Sequence, residues 1–159
     1  QKLEAEKRVL NANSDSIICR MPRMFDFGFK NTFFHDIYYN LLSGQKIKLF
    51  SDMFRTPVSG LVAARGIERA MNEKLYGIIH LGGKEQLSWF DFGKIVADIY
   101  DFDDSLLIKN SMFNFNYYDK RPVNVSLNSD KAISLGYNCP TLVDQIKELV
   151  NTESENVYN

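Results

Sequence analysis

Tyr76-Gly77-Ile78-Ile79-His80-Leu81-Gly82-Gly83, followed by Leu87-Ser88-Trp89-Phe90-Asp91-Phe92, decides the fold class. Ile78, Ile79 and Leu81 form an apolar run of strand length, and the glycine pair closes it with a tight turn. Ser88 and Asp91 have the spacing of a capping box, and Phe92, Ile95, Val96 and Ile99 then recur at helical spacing. The stretch therefore reads as strand, turn and helix.

The alternation continues outward on both sides. Toward the start, a helix is predicted over 2–12, with Leu3, Val9 and Leu10 to one side. A buried strand follows at Ser16–Arg20, ended by Pro22. Residues 22–31 form a Phe- and Gly-rich loop. Thr32 caps a helix carrying Phe33, Phe34, Ile37, Tyr38, Leu41 and Leu42, which Ser43-Gly44 stops. Lys46–Phe50 reads as a half-exposed strand and Arg55–Val58 as an extended piece. The next helix runs to about Met71, with Leu61, Ala64, Ile67 and Met71 facing inward. Toward the end, a strand is predicted at Ser105–Ile108 and irregular chain over 110–128. A short helix spans Ser129–Leu135, and a last helix is opened by Thr141 and Asp144. Strands alternating with helices give an α/β class with helices packed on short strands. One domain is expected over 1–150, with a polar, frayed tail over 151–159.

The sequence has 159 residues, 45% of them apolar, and a net charge of −1. Charges that nearly cancel argue against a DNA-binding surface or a polybasic membrane patch, so neither nucleic acid nor membrane is an expected partner. Apolar runs fall far short of the roughly 20 residues that span a bilayer. Two cysteines, Cys19 and Cys139, form no disulfide framework or zinc spacing, which fits a reducing, cytoplasmic location. No metal site is expected. The charged, helical opening from Gln1 implies a sequence that begins inside a larger domain.

Complete catalytic motifs are missing. Gly82-Gly83 follows a strand but has no third glycine placed for a dinucleotide fingerprint, so it reads as a turn. His35 and His80 read as structural, and Asp101, Asp103 and Asp104 as a solvated loop. Phe25/Phe27/Phe29 and Phe113/Phe115/Tyr117/Tyr118 alternate with polar residues, a pattern expected to line a pocket or a partner surface.

Six segments, taken in order, carry a family resemblance: Lys2-Leu3-Glu4-Ala5-Glu6-Lys7, Ile17-Ile18-Cys19-Arg20-Met21-Pro22-Arg23-Met24-Phe25, Lys30-Asn31-Thr32-Phe33, Asp52-Met53-Phe54-Arg55-Thr56-Pro57-Val58, the stretch quoted first, and Lys120-Arg121-Pro122 with Ser126-Leu127-Asn128-Ser129-Asp130-Lys131. Together they resemble the dTDP-4-dehydrorhamnose reductase family of extended short-chain dehydrogenases. The resemblance implies the C-terminal portion of a Rossmann-like fold, without the cofactor-binding half. Lys2 takes the position of the family's catalytic lysine, whose partner tyrosine would lie before residue 1. Met21, Pro22 and Met24 fall on the loop over the nicotinamide of NAD or NADP. This chain alone is expected to bind no cofactor.

A nucleotide-sugar substrate needs fixed cations for its diphosphate, and Arg55 and Arg121 are the first candidates, with Asn31 and Trp89 beside them. Arg20 is expected to anchor the loop above it. Met21-Pro22-Arg23 replaces the small hydroxyl and aromatic residues more usual there, and Val58 stands where Thr is commoner. The missing N-terminal half or a second copy of the chain is a further possible partner. The alternative reading is a non-catalytic interaction module, like the beta subunit of methionine adenosyltransferase.

Overall fold

A computed structural model describes residues 1–27, 32–114 and 121–157, with side chains through 151. The order is α1 (Lys2–Ala12), β1 (Ile17–Arg20), β2 (Met24–Phe25), α2 (Phe33–Leu42), β3 (Ile47–Phe50), β4 (Phe54–Arg55), β5 (Val58–Ser59), α3 (Gly60–Asn72), β6 (Gly77–His80), β7 (Leu87–Ser88), α4 (Trp89–Tyr100), β8 (Leu107–Asn110), α5 (Asp130–Ser134) and α6 (Leu142–Val157). Three ladders are parallel, β1 with β6, β2 with β5 and β3 with β8, while β4 pairs antiparallel with β7. Parallel pairs separated by helices confirm the α/β class.

Local chemistry fixes the helix ends. The Thr32 hydroxyl accepts from the His35 N–H at 3.2 Å, as its position before α2 predicts. Ser88 and Asp91 form a complete capping box at α4. The Thr141 hydroxyl caps α6 by accepting from the Asp144 N–H at 3.2 Å. Gly44 and Gly136 take φ values of +68° and +89°, a left-handed backbone that L side chains rarely adopt, and so end α2 and α5. Asp103 is no idle surface acid, since its carboxylate accepts from the Ser105 N–H and caps a single 3-10 turn.

Two apolar clusters hold the elements together. The larger packs α2, α4 and α6 around Phe25, Phe34, Phe92 and Ile146. The smaller gathers Val58, Val62, Ile79, Leu81 and Tyr137. Gln145, 1% exposed, joins them. Its Oε1 accepts from the Ser59 N–H at 2.8 Å, and its Nε2 donates to the Pro140 carbonyl at 3.0 Å.

Several expectations need correction. Helix α3 buries Val62, Ala63, Gly66 and Ala70, whereas Ala64 and Met71 face solvent. Small residues let the helix approach closely: a Cβ on Gly66 would stand 2.8 Å from the Tyr137 ring. Phe25 lies in the core and Phe27 packs against it, both rings meeting Phe34. Phe29, Phe115, Tyr117 and Tyr118 lie outside the described residues. Strand β1 is only half-buried, and α1 buries no side chain, with Leu3 and Val9 exposed. A two-residue strand, β2, sits within the loop expected over 22–31. The predicted strand at Ser105 starts at Leu107 instead, after the 3-10 turn. The helix α6 continues to Val157, well into the stretch expected to fray.

Candidate functional site

The residues that build the site are carried by the β4–β5 segment and by the segment after Arg121. The Phe54 N–H donates to the Val123 carbonyl at 2.8 Å, and the Val125 N–H donates back to Phe54 at 3.3 Å. This pairing lays Arg121–Val125 alongside β4. Thr56, Gly82 and Ser129 lock the arrangement from below. The Leu127 N–H donates to the Thr56 hydroxyl at 3.1 Å, and the Gly82 N–H to the Ser129 hydroxyl at 2.8 Å. Gly83 presses onto the backbone of Pro57, so that a Cβ there would collide with the Pro57 carbonyl oxygen. The glycine pair thus serves close approach of two chain segments as well as the turn.

Two adjoining clefts open above this platform. The first, of about 420 Å³, is lined by Arg55, Arg121 and Trp89 together with Arg23, Phe33 and Lys48. The second, of about 530 Å³, is lined by Lys2, Met21 and Pro22, and again by Arg23 and Arg55. The structure therefore brings Arg55, Arg121 and Trp89 to one cleft, and Lys2, Met21 and Pro22 to the other. Met24 lines neither cleft; it is exposed on β2. Asn31 lies outside the described residues.

Arg55 is held by main-chain oxygens, its Nη1 donating to the Phe54 carbonyl at 2.6 Å and to Val123 at 3.3 Å. Burial, and then the charge of Arg23, pull its pKa below the ordinary arginine value. Trp89 packs against Phe33 with the rings tilted by 52° and their centroids 4.1 Å apart. The Arg23 guanidinium lies over both rings, 5.7 Å from Phe33 and 5.9 Å from Trp89. Arg20 points elsewhere than expected. It makes a two-bond ion pair with Glu6 of α1, at 3.0 and 2.7 Å, and so anchors the helix rather than the loop above. Its hydrogen bond holds the Glu6 carboxyl below its usual range.

Arg23 is the site residue that sequence reasoning passed over. Its position beside Met21-Pro22 was visible, but nothing along the chain shows that Phe33 and Trp89 converge beneath it. His80, read as structural, is so: its ring nitrogen meets the Asn128 carbonyl at 3.1 Å. Among the described residues no cluster of His, Cys, Asp or Glu could hold a metal, and no helix is long and apolar enough to cross a membrane.

The α/β platform thus carries a cationic, aromatic cleft beside a mixed one. The chain belongs to the family described as RmlD substrate binding domain, which it matches over residues 1–154. It is 26% identical over 160 residues to the dTDP-4-dehydrorhamnose reductase of Sinorhizobium fredii, covering 94% of this chain and 54% of that one. A crystal structure of a dTDP-4-dehydrorhamnose reductase from Clostridium acetobutylicum superposes with a TM-score of 0.82 at 24% identity, over 96% of this chain and 54% of that one. The enzyme of the same description from Bacillus anthracis, solved in complex with NADP, gives a TM-score of 0.75 at 17% identity, over 86% of this chain and 48% of that one. The chain spans about half the length of each of these proteins.

Proposed function

We propose that this chain is the substrate-binding part of an NAD(P)-dependent nucleotide-sugar reductase, with the first cleft holding the nucleotide diphosphate and the second holding the reacting end. The observation that carries the reading is the meeting of Arg55 and Arg121 in one cleft that opens beside Lys2. Guanidinium groups present paired N–H donors that match phosphate oxygens, and Arg55 is already oriented by two carbonyls. Trp89 and Phe33 give the same cleft an apolar face suited to a sugar or base ring.

The second cleft suits only the reactive end of a dinucleotide. Met21 and Pro22 offer an apolar wall for a ring, and Lys2 offers an ammonium to a ribose hydroxyl. The sequence contains no Gly-x-Gly-x-x-Gly to receive the cofactor's own diphosphate. When bound, the nicotinamide supplies a hydride to the sugar carbonyl. A neighbouring phenol would give its proton to the sugar oxygen as the hydride arrives, and Lys2 would stabilise the phenolate left behind by opposite-charge attraction, while Arg55 and Arg121 hold the substrate in register. The free thiols Cys19 and Cys139 support a cytoplasmic setting for this activity.

Thermal unfolding with nucleotides tests the reading. UDP and dTDP, each alone and as its glucose conjugate, are expected to raise the Tm, by mass action on the folded state. Arg121→Gln should abolish the rise, since Arg121 lines the first cleft. A Tm indifferent to every nucleotide and nucleotide sugar would sink the proposal.

A further inference from the structure

Helix α1 carries two acids, Glu4 and Glu6, and each is matched to an arginine. Glu4 accepts from Arg8, one turn along the same helix, at 3.1 Å. Glu6 is matched across the chain instead, by Arg20 at the end of β1. Both of its carboxylate oxygens are taken: Oε1 accepts from the Arg20 Nε at 3.0 Å and Oε2 from Nη2 at 2.7 Å. Both residues are half-buried, where water weakens such a pair less than on an open surface. Glu6 is also the one acid among the described residues that line the second cleft. Lys2 lines that cleft too, and among the described residues it forms no ion pair.

Lys2 and Glu6 stand four positions apart on α1, the spacing at which helical side chains meet. An ammonium and a carboxylate so placed pair with each other unless a better partner intervenes. Arg20 is that partner, because a guanidinium fork matches both carboxylate oxygens at once and an ammonium does not. Resting on the reading of the second cleft given above, we infer that Arg20 is a positioning residue for Lys2: it takes up the charge of Glu6 and so leaves the Lys2 ammonium for the ligand. The chemistry of the cleft needs this. A bare carboxylate one turn away would draw the ammonium aside, and it would also repel a phenolate formed beside it. Arg20 acts on the reaction through Glu6 alone.

Amine reactivity reads the state of Lys2 without any ligand. The chain is labelled with a trace of acetic anhydride, with Nα-acetyl-lysine amide as the internal standard, and acetylation at Lys2 is measured by peptide mass spectrometry. Arg20→Gln is expected to slow Lys2 about twofold, the effect of one helical i, i+4 pair, since an ammonium beside a bare carboxylate holds its proton more firmly. Arg20→Gln combined with Glu6→Gln is expected to return Lys2 to the parent rate, and Arg20→Lys to stay near it. Reactivity in Arg20→Gln equal to or above the parent's overturns the inference. A double variant as slow as the single one also overturns it, because both lack the tie between α1 and β1 and only the single one keeps the Glu6 charge. Neither result touches the nucleotide-sugar reading, which the thermal unfolding experiment decides separately.

Discussion

Gly83 shows how one position constrains the site. Its backbone N–H donates to the Thr56 carbonyl at 2.9 Å, and the Pro57 carbonyl fills the place a side chain would need. Gly83→Ala must therefore push the β4–β5 connection away, and Arg55 with it. The expected cost is about 3 kcal/mol, the upper part of the range for overpacking a fitted interior. Urea denaturation of the variant measures it, and a loss under about 0.5 kcal/mol would show that the connection yields freely. Gly93 offers the contrast. A Cβ there meets the tip of the Leu49 side chain, which can rotate aside where a carbonyl cannot. At this scale the sequence was legible in part. The turn at Gly82-Gly83 follows from the glycines themselves, but the contact with Pro57 joins segments 26 positions apart along the chain, and no local pattern encodes it. Arg23 was hidden for the same reason, since its two aromatic supports come from α2 and α4.

Elements were read best where their ends carry chemistry. Thr32, Ser88 and Gly44 act within three or four residues of themselves, so their roles stand in the sequence directly. Faces were read less well. α3 buries its small residues and exposes Met71, because close packing against Leu81 and Tyr137 rewards the absence of side chain more than the presence of a large one. Apolar character alone points the wrong way there. α4 gives the sharpest test of an end. The buried Ser88 hydroxyl accepts from the Asp91 N–H at 3.0 Å and donates to the Asp91 carboxylate at 2.6 Å. Ser88→Ala is expected to cost about 1 kcal/mol, the ordinary worth of such a cap, with Ser88→Thr recovering much of it. Equal stability of the Ala and Ser proteins in guanidinium titrations would mean that packing, not capping, sets the start of α4. That start positions Trp89, so the cap bears on the first cleft as well.

The whole molecule depends on a seam between two cores, and a buried amide closes it. Gln145 satisfies the Ser59 N–H on one side and the Pro140 carbonyl on the other. Gln145→Leu keeps the volume and strands the buried Ser59 N–H, so a loss of about 2 kcal/mol is expected from the unpaired donor. A Tm within one degree of the parent protein would refute that account. The alternation of strand and helix made the α/β class legible across the chain, because it depends on periodicity alone. The pairing order was not legible, since four short ladders are assembled from strands far apart in sequence. The clefts were legible only as a set of candidate residues; Arg55, Arg121 and Trp89 share a cleft because Arg121–Val125 runs beside β4, which is a fact of tertiary pairing.

One last feature reaches beyond packing. Helix α1 buries no side chain, and the Glu6–Arg20 pair joins it to β1. Lys2 rides on that helix and forms part of the second cleft. An ion pair thus ties the helix of Lys2 to β1, where the first cleft is built on ring contacts and main-chain bonds. Mobile ions screen charges over about 10 Å at 0.1 M salt, a partly buried pair such as Glu6–Arg20 less than an exposed one. The two halves of the site thus answer differently to their surroundings. Ionic strength acts as a dial on the end that would carry out the chemistry, while the hydrogen-bonded frame of the end that would hold the ligand keeps its shape.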